Sequence, residues 1–318
     1  MGGWSWRRLT LIVQPSAQVI DRSSEMSYWT IVVTRNGERT IRSTLESILT
    51  QTLRPGSVYV VDDGSTDKTP DILKEFVARF DGEVAVTHLP DNGYDIRRVV
   101  VNINIGLRNA ERLGVQARYV MVSGDDCIHP PNYARYIVEK MDADPRIAVA
   151  SGDIVGCGLP DVTPRGSGRL IRSSFLRELG GYFPEFYWYE AWILQKALQL
   201  HYHVRNFSEI RFEHSRGMGV DHGFRGWGPT MRCLGYHPLE VLHRCLRYSL
   251  LDRRVPIGYL VVLWDYMMSP FTRRGDPYFR YCSPGLRRFI REKQIIRNCR
   301  RLSRSLSFQR AKEGETAR

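Results

Sequence analysis

The stretch Ser57-Val-Tyr-Val-Val-Asp-Asp-Gly-Ser-Thr-Asp67 decides the fold, because it runs from a buried strand straight into a polar turn. A short apolar run that ends at turn-forming residues is typical of a strand buried on both faces. Around it, strand-like and helix-like segments alternate through the first half of the chain. Strands are predicted at 29–34, 57–61, 84–88 and 119–122, and helices at 40–50, 70–80 and 105–113. This order indicates a largely parallel sheet that helices cover on both faces.

Beyond Met141 the alternation is less regular, and after Gly228 the chain becomes helical and rich in arginine. A strand is predicted at 147–150, short helices at 169–179 and 191–200, and an edge strand at 203–207. The chain is therefore predicted to comprise three regions. These are an N-terminal extension (1–26), an α/β domain (27–230, with halves 27–126 and 127–230) and a basic helical region (231–318).

The 318-residue chain carries a net charge of +12, and the whole excess lies in its C-terminal part. Residues 1–231 hold 27 Lys and Arg against 27 Asp and Glu, whereas residues 232–318 hold 19 against 7. A neutral body with a basic tail favours contact between the tail and a phosphate-rich surface. The six cysteines form no CxxC pair, so we expect reduced, mostly buried thiols rather than a zinc site or a disulfide framework.

Acidic side chains follow the predicted strands as Asp62-Asp63 and Asp125-Asp126, and Glu190 opens a predicted helix after an aromatic segment. Ligand sites in open α/β sheets lie outside the carboxyl ends of the strands, so these positions favour a shared site. Each also has a plain alternative as a turn, a helix cap or an acid stabilised by a helix dipole. Adjacent carboxylates repel each other unless a cation lies between them, and carboxylate oxygens suit Mg²⁺ or Mn²⁺.

Several linked stretches of the chain resemble the signature of the family 2 glycosyltransferases. They are Ile31-Val-Val-Thr-Arg-Asn-Gly-Glu38, Thr44-Leu-Glu-Ser-Ile-Leu-Thr-Gln-Thr52, Val60-Val-Asp-Asp-Gly-Ser-Thr-Asp-Lys-Thr69, and Asn104-Ile-Gly-Leu107 followed by Asp125-Asp126. The resemblance implies a GT-A fold, which is a Rossmann-like, mostly parallel α/β sheet flanked by helices, here followed by the basic helical extension. It also implies a metal-dependent, inverting transfer of a sugar from a nucleoside-diphosphate sugar to a hydroxyl acceptor, with Mn²⁺ or Mg²⁺ as cofactor.

The resemblance assigns roles to individual positions. The positions expected to bind the nucleotide-sugar are Thr34, Asn36 and Glu38 in the nucleotide pocket, Asp63 at the base and Asp125 near the ribose. Asp126 would bind the metal, with His214 near the metal and the diphosphate. Family members commonly carry an acidic pair at the catalytic position, whereas this chain has Glu190 followed by Ala191, so Glu190 would serve as the base.

Two arginines complete the expected donor site. Arg98 would either approach the base or remain a surface charge. Arg225 lies in a glycine-rich segment, 217–228, that suits a loop closing over the donor, with Arg225 on phosphate; an ordinary surface loop is the alternative. His214 has an alternative of its own as a capped surface histidine after a strand.

The C-terminal region has the pattern of a basic amphipathic helix. Apolar residues share one face and basic residues occupy much of the remainder: Leu286, Phe289, Ile290, Ile296, Cys299 and Leu302 against Arg287, Arg288, Arg291, Lys293, Arg297, Arg300 and Arg301. Such a helix binds an anionic membrane surface, or packs on the protein with a solvated charged face. We expect peripheral membrane contact, a cytoplasmic location at the inner face of the cell membrane, and a glycan or lipid-linked acceptor.

Two other functions are compatible with parts of the sequence. A sugar-phosphate nucleotidyltransferase shares a related nucleotide-binding half, but it typically has a glycine-rich loop with a basic residue where this chain has Thr34-Arg-Asn-Gly-Glu38. A nucleic-acid-binding protein would fit the net charge. The charge is confined to the tail, however, and no RRM, zinc-finger or helix-turn-helix pattern is present, so we expect no nucleic-acid partner.

Overall fold

The computed structural model describes residues 26–80, 84–156, 163–186, 188–215, 224, 226–251, 256–269 and 281–297. Its contacts divide the chain into two compact units, Met1–Gly217 and Met218–Arg318. Residues 1–25 of the predicted extension lie outside the described residues, and the first strand begins at Met26.

The first unit alternates strands and helices along its length. Its strands are β1 (Met26–Thr34), β2 (Val58–Asp62), β3 (Val84–His88), β4 (Ala117–Gly124), β5 (Cys127–Ile128), β6 (Ile147–Ile154), β7 (Arg169–Arg172) and β8 (His203–His214). Its helices are α1 (Ile41–Leu49), α2 (Thr69–Arg79), α3 (Arg98–Arg112), α4 (Tyr133–Ala143), α5 (Ser173–Glu178) and α6 (Tyr189–Gln199).

The strands form one sheet in the order β3-β2-β1-β4-β7-β6-β8-β5. The first four are all parallel, as predicted. Beyond β4 the sheet is mixed, because β7 runs antiparallel to both β4 and β6, while β6 and β8 are parallel. The carboxyl ends of β1, β2 and β4 therefore meet at one edge of the sheet, where the predicted acidic residues lie.

Apolar residues at helical spacing cover one face of the parallel half. On α1, Ile41, Leu45 and Ile48 are fully buried, and they belong to one cluster with Val32 and Val60 of the sheet. A second cluster joins α4 to residues of β1, β4 and β6. Burying such a side chain contributes about 1.5–3 kcal/mol, so this packing fixes the strand ends that carry the site.

Two predicted elements differ from the structure. The segment 169–179, predicted as one helix, is strand β7 followed by helix α5, because Leu170 and Ile171 pair with β4. Helix α3 begins at Arg98, whereas the sequence predicted a start at residue 105. The prediction was late because the first turn of α3 is a run of β-branched residues, which is typical of a strand. Helix α4 was not predicted.

The second unit is helical, as predicted for the extension. Its described helices are α7 (Trp227–Cys233), α8 (Pro238–Leu251), α9 (Pro256–Met268) and α10 (284–297). The predicted domain boundary at residue 230 falls inside α7. Buried residues from α7, α8 and α9 form its core with Phe224. Within the described residues, no helix combines the length and apolar composition needed to cross a membrane.

The amphipathic helix expected near the C-terminus is present as α10, and its apolar face is only partly buried. Leu286 and Ile290 are each 1% exposed and pack inside the protein, whereas Ile296 is 52% exposed. Cys299, Leu302, Arg300 and Arg301 lie outside the described residues. The cysteines of the described part are free and buried, which agrees with the expectation of reduced thiols.

Candidate active site

A cleft of about 200 Å³ opens at the carboxyl ends of β1, β2 and β4. It brings together four of the predicted site residues: Thr34, Asp63, Asp125 and Glu190. The remaining wall comes from the ends of β1 and β4, the loop before α3, α3 itself, the residues before β7 and the start of α6: Val33, Arg35, Tyr94, Asp95, Ile96, Val99, Asn102, Ile103, Val122, Ser123, Gly124, Gly166, Ser167 and Tyr189. Residues from distant parts of the first unit therefore share one concave site.

Asp125 is fixed by the end of the neighbouring strand. The Thr34 hydroxyl donates a hydrogen bond of 2.7 Å to Asp125 Oδ2, and both residues are buried. Gly37 keeps this space open, because a Cβ there would lie 2.5 Å from the same carboxylate oxygen. A charged hydrogen bond of this kind holds the carboxylate in one orientation toward the cleft.

Asp63 is paired with Arg98. Arg98 Nη2 lies 2.8 Å from Asp63 Oδ2, and Arg98 Nε donates to the same oxygen at 3.2 Å. Arg35 donates to the carbonyl oxygens of Asp63 and Gly64. The nearby Asp62 instead accepts hydrogen bonds from Ser65, so it shapes the turn after β2.

Asn36 and Glu38 hold the loop after β2 and are not among the residues lining the cleft. Asn36 Oδ1 accepts from the Thr66 amide at 2.9 Å, and Glu38 Oε2 accepts from the Lys68 amide at 3.2 Å. Asn36 has φ +50°, a left-handed conformation that Asn tolerates better than most residues. Both side chains therefore position the turn that presents Asp63.

Asp126, Cys127 and His214 form a second group beside the cleft. One ligand atom from each lies within 4.8 Å of the others, and Asp126 Oδ1 is 3.6 Å from His214 Nε2. The Cys127 thiol donates to Asp126 Oδ1 at 3.6 Å; its burial, and then the Asp126 charge, raise its pKa to about 12. A carboxylate oxygen from the turn between β4 and β5 and an imidazole nitrogen at the end of β8 fit a divalent cation such as Mn²⁺.

Glu190 lies half-buried in the first turn of α6, where the helix dipole stabilises its charge. The Tyr189 hydroxyl donates to Glu190 Oε1 at 3.4 Å, and a Cβ at Gly166 would lie only 2.2 Å from that oxygen. Burial raises the pKa of Tyr189 well above its usual value, so its hydroxyl stays protonated.

A buried guanidinium lies near Glu190. Burial lowers the pKa of Arg169, and the charge of Glu190 opposes that shift. Arg169 also donates to the carbonyl oxygens of Arg165 and Pro164, which fixes the loop before β7. The pair places one negative and one positive charge close to each other, with Glu190 lining the cleft.

The sequence pattern did not identify several residues that lie in or near the cleft. Asn102 is 2% exposed, and its Nδ2 has no hydrogen-bond partner among the described residues although it borders the cleft. Gly166, Ser167 and Arg169 come from a segment interpreted as loop and helix. Arg169 could have been noticed as one of two arginines, with Arg172, that flank the apolar pair Leu170-Ile171. Arg225 lies outside the described residues.

Solved structures with the same architecture are glycosyltransferases of the GT-A type. Staphylococcus aureus TarS 1–349, in complex with UDP-GlcNAc, superposes with a TM-score of 0.50 at 19% identity, covering 76% of this chain and 72% of that chain. GalNAc-T7 with UDP, GalNAc and Mn²⁺ gives a TM-score of 0.53 at 15% identity, covering 77% of this chain and 56% of that chain. The predicted fold is confirmed by this likeness.

Sequence relatives point to the same family. A poly-β-1,6-N-acetyl-D-glucosamine synthase of Staphylococcus epidermidis is 24% identical over 121 residues, which are 37% of this chain. The match spans about a quarter of that relative, 26% of its length. The model of glycosyl transferase family 2 matches residues 29–200, more than half of the chain. The matched residues include the carboxylates of the cleft. This chain belongs to glycosyl transferase family 2.

Proposed function

We propose that this chain transfers a sugar, with inversion, from a nucleoside-diphosphate sugar to a hydroxyl acceptor. The observation that carries the proposal is the placement of Asp63, Asp125 and Glu190 on one cleft at the ends of parallel strands. The similar proteins support this proposal, since they include a polysaccharide synthase and structures in complex with UDP, UDP-GlcNAc and Mn²⁺.

The donor would lie along the cleft with its nucleoside toward β2 and α3. Asp63 would accept a hydrogen bond from the base, while Arg98 holds that carboxylate and donates nearby. Asp125, oriented by Thr34, would accept from the ribose hydroxyls. Arg225 would contact the diphosphate, which is the role expected for it from the sequence.

Glu190 would act as the general base of the transfer. Its carboxylate removes the proton of the acceptor hydroxyl as that oxygen forms a bond to the anomeric carbon. The bond from this carbon to the β-phosphate oxygen breaks, and its electron pair leaves with the nucleoside diphosphate. Arg169 places a positive charge near the Glu190 carboxylate.

Asp126 and His214 would hold Mn²⁺ or Mg²⁺ on the diphosphate side of the cleft. The cation would offset the charge that develops on the leaving group, so no second protein acid is needed. The distance of 3.6 Å between the two ligand atoms supports this assignment.

The acceptor is proposed to be a glycan or a lipid-linked glycan at the cytoplasmic face of the membrane. The described part of the second unit has eight Lys and Arg against three Asp and Glu, which favours peripheral contact with anionic lipid. Exposed cations on α10, including Arg288 and Arg291, would contribute to this contact. Reversing both charges in the full-length chain, as Arg288→Glu with Arg291→Glu, should weaken binding to anionic vesicles.

The decisive experiment is a thermal-shift panel of UDP-, GDP- and dTDP-sugars with and without Mn²⁺. A ligand at about 100 times its Kd stabilises the folded state by about 2.7 kcal/mol, which raises Tm by several degrees. We expect one nucleotide series to raise Tm, and more strongly with Mn²⁺ present. If no donor raises Tm under either condition, the proposed function is wrong.

A further inference from the structure

The exposed side chains of α9 are apolar, and the half-buried Asp265 lies beside Leu260 and Trp264 in one surface depression. Five residues at helical spacing are exposed on the helix: Ile257 (71%), Leu260 (50%), Trp264 (65%), Met267 (63%) and Met268 (62%). The opposite side of the helix, with Tyr259, Val262 and Tyr266, is buried in the core of the second unit. α9 has no Lys or Arg, and Asp265 is its one carboxylate. The exposed side is therefore a second apolar surface on a helix that has already buried its first.

Helix α8 repeats this arrangement. Its inner side buries Val241 and Cys245, while four leucines follow one another along the outer side: Leu239 (65%), Leu242 (40%), Leu246 (48%) and Leu250 (80%). Residues spaced by three or four positions lie one above the other on a helix, so the leucines form a stripe. Together with the five residues of α9, they are called here the apolar face.

The apolar face needs an explanation, because its exposed side chains are not scattered singly over the surface. Nine large side chains are exposed on two helices of one compact unit, whereas scattered single residues are the norm. Such surfaces mark contacts with a membrane or with another protein. Leu286 and Ile290 of α10 cannot make the contact expected of them, because they are buried, and Ile296 is the exposed member of that predicted face among the described residues.

Charge favours lipid over a second copy of the chain. Arg247 is exposed beside the leucine stripe, and α10 exposes Arg288, Arg291, Lys293 and Arg297 in the same unit. Two copies meeting through this unit would bring like charges together, whereas anionic headgroups attract them. An exposed tryptophan on an apolar helix face is also typical of the membrane interface, where its ring is partly buried and partly hydrated.

We propose that the apolar face of α8 and α9 inserts into the interface of an anionic membrane. The inference rests on the membrane contact in the proposed function, and it assigns that contact to a different surface from the one expected in the C-terminal helix. The helices lie in the interface, with Trp264 at the level of the headgroups, and the flanking arginines contact lipid phosphates.

The test is co-sedimentation of the full-length protein with vesicles of phosphatidylglycerol and phosphatidylcholine. Leu246→Glu, Leu260→Glu and Trp264→Glu should each lower the vesicle partition coefficient about tenfold or more. Each removes an apolar side chain that is exposed in the free protein and would be buried in the membrane. Val155→Glu is the matched control, since Val155 is 54% exposed in the first unit and carries the same change of charge. Circular dichroism establishes that each variant is folded.

A second measurement does not depend on the charged variants. Brominated lipids should quench part of the tryptophan fluorescence, and Trp264→Phe should remove that part while vesicle binding persists. Wild-type binding by all three glutamate variants, or quenching unchanged in Trp264→Phe, would overturn the proposal. So would a shift from dimer to monomer in the glutamate variants with vesicle binding intact, because the face would then bind a second copy. If the three glutamate variants bind vesicles normally while the double variant Arg288→Glu with Arg291→Glu does not, the inference about α8 and α9 fails. The membrane contact of the proposed function then still stands.

Discussion

The carboxylates of the cleft each have a different neighbour, which separates their chemistry. Thr34 donates to Asp125, Arg98 forms an ion pair with Asp63, and Tyr189 donates to Glu190. Asp126 instead faces His214. Because partners set how a carboxylate is oriented and charged, the residues that look equivalent in the sequence can serve the nucleoside, the metal and the acceptor separately.

Glu190→Gln should stop transfer while donor binding is retained. The amide keeps the size of the side chain but cannot take a proton, so kcat should fall about 10²–10⁴-fold. Donor Kd, measured by titration calorimetry with the intact nucleotide-sugar, should change less than about threefold. A variant that retains most of its kcat would remove Glu190 as the base.

Asp126→Asn tests the metal ligand. Loss of the carboxylate should abolish the additional stabilisation that Mn²⁺ gives to the donor complex, because an amide is a weaker ligand for a hard cation. Tm with nucleotide alone should stay close to that of the wild type. An undiminished Mn²⁺ effect would show that another group binds the cation.

At the scale of elements, α3 connects the two ends of the site. Arg98 in its first turn pairs with Asp63, and Asn104 in its middle bonds both backbone groups of Phe183, each at 2.9 Å. Phe183 belongs to the loop that leads into α6 and Glu190. The helix therefore couples the Asp63 end of the cleft to the segment that carries Glu190.

Asn104→Ala should both destabilise the protein and impair transfer. It leaves the N–H and C=O of Phe183 without their partner, at a cost of about 1–3 kcal/mol for each buried group. Urea unfolding should show the loss, and kcat should fall more than donor affinity. Asn109→Ala is the control: it removes a single bond to Thr87 Oγ1 in the same helix, so its effect should be smaller. Equal effects of the two variants would contradict the coupling.

The predictable part of the fold is the part that local pattern specifies. The apolar runs of β1, β2 and β4 and the spacing of Ile41, Leu45 and Ile48 are readable because strand and helix periods differ. The extent of α3 and the strand β7 depend on partners distant in sequence. For the same reason the close approach of Gly166 to Glu190, and the buried Asn102 and Arg169, became visible only in three dimensions.

At the scale of the whole molecule, stability should depend on one buried histidine. His129 is 3% exposed and packs against the rings of Tyr133 and Phe212, which also contact each other. Within the described residues, neither of its ring nitrogens has a hydrogen-bond partner. Burial therefore lowers its pKa to about 3, from the ordinary value of 6.5.

The free energy of unfolding should fall as the pH falls below 6.5. The unfolded chain binds a proton there while the folded chain does not, so the stabilisation is complete above pH 6.5 and is lost toward pH 3. The slope is about 1.4 kcal/mol per pH unit. Urea titrations at pH 7 and pH 5 measure it, and His129→Phe should reduce the slope by that amount. Identical slopes in both proteins would exclude this origin.

The central position of β1 also has a consequence for synthesis of the chain. Its hydrogen-bonded neighbours are β2 and β4, and the contact between Thr34 and Asp125 spans 91 residues. At about 5–20 residues per second, the ribosome takes about 5–20 s to make that interval. During that interval the edge of β1 that later pairs with β4 has no partner. An unpaired, apolar strand edge can pair with a strand of another chain, which leads to aggregation. We therefore expect the yield of folded enzyme to respond to translation speed and to chaperones that shield this strand.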